Sequence, residues 1–453
     1  MATALNDMVA NGDVQPEDNP ILQGNFGPVG EEVEREALEV IGTIPPELNG
    51  VLLRTGPNPI NPGSNHHWFT GDGMLHAISI ENGKATTYRN RWIRTDSVEQ
   101  KLGLPAAKGP RLPIQGSGNV NVIGHGGRIL ALSEIGLSFE MNRELDTLQI
   151  FDYEGQLTSS MTAHPKIDGK TGELLFFGYD LAPPFLRYHR ADPEGNLRST
   201  VEVNLPECVM MHDFGVTATR IVFMDLPVTA DYSFIAEGHS AMPFGWNDEH
   251  QARLGVMDRA ASSDDSVKWI DIDPCYVFHP LNTYDDGDNI VMDVVRYERV
   301  FTAPGDTDFD KGAALVRWTI NVEAGVVETR VLSDIDQEFP RIDPRVECHP
   351  HQFGYALEVG GQHGFADLLK HDLHAGTTQR HEIGANCAGG EPVFVPYGEA
   401  EDQGYILSVV FNGESETSEL RIIDAARFTE APVAIVKLQS RVPFGFHGNF
   451  VTT

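Results

Sequence analysis

Thr162-Ala163-His164-Pro165 decides how this chain is read, because three further contexts repeat its theme: Met211-His212-Asp213-Phe214, Val277-Phe278-His279-Pro280 and Gly445-Phe446-His447-Gly448. Most of them adjoin strand-like apolar runs, and the gaps between them are far too long for one finger or helix motif. A closed β architecture removes the difficulty, since repeated sheets around a common axis each deliver one side chain to the centre, as the channel of a propeller allows. Four neutral imidazoles without a thiolate suit Fe(II), copper, nickel or zinc, whereas magnesium and calcium prefer carboxylate and carbonyl oxygens. Zinc more often takes three protein ligands and a water. Four histidines leave an octahedral ion two open positions, enough for dioxygen chemistry, so iron is the expected tenant. Any one of the 17 histidines taken alone is more often an ordinary core or rim residue. The four contexts carry weight only as a set.

Working outward, short β-rich runs recur at Arg128 to Ser133, Glu173 to Tyr179, Arg220 to Met224, Asn289 to Tyr297, Ala314 to Val322 and Tyr405 to Phe411. Turn signals such as Ala191-Asp192-Pro193-Glu194-Gly195-Asn196 separate them, and 45 Gly and 28 Pro supply many more. Helical periodicity is scarce and no run of 18 apolar residues exists, which favours an all-β chain without a membrane-spanning helix. The 453 residues exceed an ordinary domain, but closed β folds run longer as single units.

The motifs between these runs resemble, in order and over almost the whole chain, those of the carotenoid cleavage oxygenases. Gly24-Asn25-Phe26-Gly27-Pro28-Val29, Arg54-Thr55-Gly56-Pro57-Asn58-Pro59 and Trp68-Phe69-Thr70-Gly71-Asp72-Gly73-Met74 come first. Leu132-Ser133-Glu134, Met210-Met211-His212-Asp213-Phe214, Glu338-Phe339-Pro340-Arg341, Gly390-Glu391-Pro392 and Arg441 to Gly448 follow. In wording they are most similar to the plant-type dioxygenases and their bacterial relatives. The resemblance implies a seven-bladed β-propeller spanning 1–453, with residues 1–35 as an N-terminal extension and a dome of loops and helix, residues 231–261 among them, over a central metal. It makes His164, His212, His279 and His447 ligands of Fe(II), backed by Glu134, Glu338 and Glu391. A ligating imidazole normally donates its other N–H to a carboxylate, which fixes the tautomer and raises ligand basicity.

The implied reaction splits a carbon–carbon double bond of a carotenoid or apocarotenoid with dioxygen, giving two carbonyl products. Phe69 and Phe278 are the expected substrate-lining aromatics, ahead of Phe234, Met242, Phe244 and Trp246 in the loops. Several relatives carry Thr where this chain has Val120, whose methyl groups either border the oxygen site or pack into a blade. Members that cleave stilbenes tend to carry Lys just before the first of the three glutamates; here the position is Ser133, which disfavours that alternative. A propeller used only as an interaction scaffold, the reading from another class, needs no convergent ligands.

A net charge of −33 argues against nucleic acid and anionic membrane surfaces as partners. The segment from Gln100 to Gln115 is shorter than the apolar helix found there in many relatives, which leaves at most a weak peripheral membrane contact. Asp7, Asp13, Glu17 and Asp18, with no long apolar core, do not read as a leader, so a cytoplasmic location is expected. Cys208, Cys275, Cys348 and Cys387 form no CxxC pair and fit reduced thiols. Cys348-His349-Pro350-His351 resembles a local metal site, but no second cluster completes it.

Overall fold

The computed structural model describes residues 19–63, 66–233, 242–302 and 313–452. The apolar, β-rich runs named above, most of them buried along nearly their whole length, form antiparallel sheets of four to six strands, and seven of these are the blades of a β-propeller. Four blades are simple four-stranded meanders, such as Asn121–His125, Arg128–Leu132, Ser138–Met141 and Thr147–Phe151. The next two begin with Lys166–Ile167 and Tyr276–Asp286, and a further one with Gln337–Arg341. The expected strand runs agree with the observed ones to within a residue or two at each end.

The ring closes through strands from both chain ends. C-terminal Gly448–Thr452 pairs with Gly50–Pro57, placing Arg54 opposite Gly448, and Glu39–Gly42 pairs with Ala434–Lys437 on the neighbouring sheet. Residues read as an N-terminal extension take part in this closure from residue 19 onward. Glu34–Glu36 adds a strand to Lys84–Trp92. Phe26 packs edge-on against Trp68 and Phe444, and Arg441 donates to the carbonyl oxygens of Gly27 and Pro28.

Residues 231–261 also differ from a simple loop. Val228–Ala230 and Phe244–Trp246 form a two-stranded ribbon over one blade, and Arg253–Asp258 is an interior strand of that blade, between Arg220–Asp225 and Lys268–Asp271. The polar stretch Asn247 to Gln251 before it hid the strand from the sequence pattern. Phe234, and all of Thr302 to Asp310 except Thr302, lie outside the described residues.

Asp96–Leu102 is the one α-helix among the described residues; Thr95 caps its start by accepting from the N–H of Val98, and Gly103 ends it in the left-handed region. Among the described residues no helix is long and apolar enough to cross a membrane. The inner strands of several blades touch one another around the axis, and this is where the chemistry-bearing side chains collect.

Candidate metal centre

Each blade delivers one side chain or backbone group to the centre from its innermost strand or the residues just before it. His447 precedes Gly448–Thr452, Val120 precedes Asn121–His125, His164 precedes Lys166–Ile167 and His212 precedes Gly215–Val216. His279 and Glu338 lie within Tyr276–Asp286 and Gln337–Arg341, and Glu391 lies between Cys387–Ala388 and Val393–Pro396. Register shifts fall at Val277/Pro280 and at Glu338/Arg341, so a β-bulge re-aims His279 and Glu338 toward the axis. Phe339, next to Glu338, has φ of 53°, and its N–H donates to Glu338 Oε2. A non-glycine residue in that region marks local strain held by its surroundings.

The result brings His164, His212, His279 and His447 together, all buried, with their candidate ligand atoms within 4.8 Å of one another. Three rings have their Nδ1 against a carboxylate: His212 on Glu134 at 2.8 Å, His279 on Glu338 at 2.6 Å and His447 on Glu391 at 2.8 Å. With Nδ1–H donated outward, each neutral ring turns the Nε2 lone pair inward. Nε2 of His212 and of His279 stand 3.3 Å apart, two acceptors with no proton to share, and His164 Nε2 is buried without a hydrogen-bond partner. That arrangement is unfavourable for the empty protein and fits a cation, since ligands at about 2.1 Å from one ion and at right angles sit about 3 Å apart.

Burial drives the imidazoles toward the neutral form that a metal requires. It pushes His164 and His447 below the ordinary histidine range and His279 down to about 3. At His212 burial acts in the same sense, but the charge and hydrogen bond of Glu134 outweigh it and the net shift is upward. Glu391 is held low although burial opposes this, because Arg341 and His447 face it.

Several partners of the site carry no recognisable sequence signal. Tyr179 donates to Glu134 Oε1 at 2.9 Å and Tyr297 to Glu338 Oε1 at 3.1 Å. Arg341 Nη1 reaches Glu391 Oε1 at 3.2 Å, and the Gly448 N–H reaches Oε2 at 2.8 Å. Arg341 stands inside a quoted motif, yet only the folded chain shows its partner. The two tyrosines end ordinary apolar strands and are invisible as site residues.

Above the imidazoles lies a cavity of about 440 Å³ whose floor includes His212, His279 and His447. Phe69, Val120 and Phe278 line it, and Met242 and Phe244 line it too, whereas Trp246 does not. Ile135, Leu181, Met210, Phe339 and Phe446 complete an apolar wall. Val120 is buried, its N–H donates to Leu132, and its carbonyl accepts from His447, so it stands beside the centre, just outside the strand. Ser133 lines the cavity and accepts the Gly118 N–H at 2.6 Å, and no Lys or Arg side chain lines it among the described residues.

The Cys348-His349-Pro350-His351 motif forms no metal cluster among the described residues. His349 Nε2 meets Asp168 at 3.0 Å, and His351 Nε2 lies 3.4 Å from Asp293. The His349 ring is spent on the carboxylate that also binds Arg259, whereas His351 is held through Nδ1 by Asn282 at 3.2 Å and its Nε2 makes no hydrogen bond.

Comparison with known proteins places this geometry. The family profile described as retinal pigment epithelial membrane protein, RPE65, matches residues 26–452. The carotenoid cleavage oxygenase of Mycobacterium tuberculosis is 37% identical over 96% of this chain and 98% of its own length. The carotenoid 9,10(9',10')-cleavage dioxygenase of Crocus sativus is 33% identical, covering 95% of this chain and 88% of its own. Among solved structures, Pseudomonas brassicacearum lignostilbene dioxygenase superposes with a TM-score of 0.87 at 27% identity, covering 96% of this chain and 98% of its own. A variant of Synechocystis apocarotenoid oxygenase does so with 0.85 at 26%, covering 97% and 99%.

Proposed function

The chain belongs to the RPE65/carotenoid cleavage oxygenase family, and from that premise we propose that it is an Fe(II)-dependent dioxygenase that cleaves one double bond of a carotenoid or apocarotenoid. The observation that carries this reading is the convergence of four buried imidazoles, three of them backed by Glu134, Glu338 and Glu391, on the floor of an apolar cavity. His164, His212, His279 and His447 hold the iron. When bound, the metal supplies a site at which dioxygen reacts with the alkene. One alkene and one dioxygen give two carbonyl groups, so atoms balance without a further reductant.

The chain's own residues do the rest. Phe69 and Phe278, whose rings meet edge to face at 5.8 Å, form a wall for an extended polyene, and Val120 borders the volume beside the imidazoles. Apolar lining excludes water and favours a substrate without charge. No proton-transfer group is assigned, since the net reaction requires none.

The lignostilbene dioxygenase neighbour makes a hydroxystilbene the rival substrate class. A buried phenolate without a cationic partner costs several kcal/mol, on the order of 2–7 for an unpaired polar group alone. Ser133 offers only a neutral hydroxyl, whose oxygen accepts from the Gly118 N–H and which brings no positive charge. The test is direct competition: purified iron-loaded protein with an apocarotenoid and a hydroxystilbene in one reaction, products identified by mass under air. The expected result is about one iron per chain and a higher kcat/KM for the apocarotenoid. Preference for the stilbene would transfer the assignment to that class.

A further inference from the structure

His164 is the exception among the four imidazoles. The Nδ1 atoms of His212, His279 and His447 each lie within hydrogen-bond distance of a glutamate, but no glutamate reaches His164. Its nearest anion is Asp213, whose Oδ2 stands 3.8 Å from Nδ1, beyond a direct hydrogen bond but within charge contact. Asp213 is buried and comes from the blade that supplies His212. Lys166, two residues after His164, binds it through Nζ at 2.8 and 2.9 Å, and the Phe214 N–H donates to Oδ1 at 2.7 Å. The three side chains line a polar cavity of about 210 Å³ that shares His279 and His447 with the apolar one.

We propose that Asp213, clamped by Lys166, is the fourth carboxylate of the centre and acts as a positioning residue for His164. With Nε2 directed toward the other three rings, the Nδ1–H of His164 points its positive end at the carboxylate, a charge contact longer than the hydrogen bonds of the glutamates that favours the same tautomer and ring angle. The pair differs from those glutamates in net charge. Glu134 and Glu338 are met by the phenols of Tyr179 and Tyr297, whereas Asp213 is met by the ammonium of Lys166 and Glu391 by the guanidinium of Arg341.

The inference rests on the four-histidine reading, and the experiment separates the two. Co(II) serves as the probe: its visible spectrum reports ligand geometry, and its release into excess chelator reports retention, both without turnover. Wild-type protein binds one Co(II), and His212→Ala abolishes the spectrum; failure of either result overturns the metal centre itself. Given those, Asp213→Asn is expected to alter the spectrum and speed Co(II) release by ~10–100-fold, the range for loss of an outer partner of a metal ligand. Lys166→Met, which removes the cancelling charge, is expected to leave release equal to wild type or slower. A purely structural role gives the same result for Asp213→Asn but predicts faster release from Lys166→Met as well. Where Asp213→Asn fails to fold because it strands a buried ammonium, Asp213→Asn/Lys166→Met removes both charges and is expected to release as fast as the single Asp213 variant. Unchanged spectrum and release in the folded Asp213 variants, or faster release from Lys166→Met, overturns the proposal.

Discussion

Glu391 is the one of the three glutamates that meets a guanidinium: Oε1 accepts from His447 and Arg341 while Oε2 accepts from the Gly448 backbone. An amide in its place has one acceptor atom for contacts that need two, and its NH2 group must face an N–H donor. Glu391→Gln is therefore expected to keep the fold but weaken metal binding or activity by ~10–100-fold, measured by chelator competition beside a circular dichroism melt. Wild-type metal affinity in the folded variant would remove Glu391 from the site. At this scale the convergence of the four histidines was legible because each stands in a distinctive local motif, and the glutamates beside them because the motifs carried them along. Tyr179, Tyr297 and the pairing of Asp213 with Lys166 were not, since each depends on contacts between segments distant in sequence.

Between blades, the Cys348 to His351 segment works as a clamp. Asp168 binds His349 and also Arg259, which reaches Glu173, while Asn282 donates to the carbonyl of His349 and accepts from the N–H of Cys348. Asp168→Ala leaves a largely buried guanidinium with Glu173 as its one carboxylate partner beside the Thr217 carbonyl, and removing one side of such a pair costs about 3 kcal/mol. The expected outcome is a clearly lower Tm with unchanged metal content in the folded fraction, and an unchanged Tm would show that Glu173 alone satisfies Arg259. A second network gives a pH signature. His250 bridges Glu207 and Asp225 at 2.8 Å on both nitrogens; burial lowers its pKa, but the two carboxylates outweigh that and raise it. A raised folded-state value means that the stabilisation is full below the unfolded pKa of about 6.5 and fades as pH climbs through the folded one. Wild type is thus expected to exceed His250→Gln in Tm at pH 6 by more than at pH 9; a gap independent of pH contradicts a charged His250. Strand existence was readable from short β-rich apolar runs bounded by turn signals, such as Asn289–Tyr297. Arg253–Asp258 was missed because polar residues and a ribbon excursion precede it, and the pattern alone does not say when a loop has ended.

Closure of the ring is the property of the whole molecule on which the centre depends; the spacing of the four histidines already pointed to a closed architecture, but the number of blades came from the family resemblance alone. His447 sits where the last strand returns to the first: its carbonyl accepts from Thr55 N–H, its own N–H donates to Val120, and Phe446 N–H donates to Thr55. The seam is drawn tight by two glycines, because a Cβ on Gly56 would lie 2.6 Å from the Gly445 Cα and one on Gly445 would lie 2.7 Å from the Gly56 Cα. Neither neighbour is a flexible side-chain tip, so one methyl group forces the two backbones apart. Overpacking of this kind typically costs about 1–3 kcal/mol. Because the displaced segment carries a ligand, stability and metal binding are coupled at this one position. Gly445→Ala is therefore expected to lower Tm and to lose metal together, whereas Gly30→Ala, with nothing within 4 Å of its new Cβ, changes neither. Thermal melts and metal analysis on the two variants in parallel decide the matter. A Gly445→Ala protein that melts and binds metal like wild type would mean that the seam has slack, and that His447 is positioned by Glu391 alone.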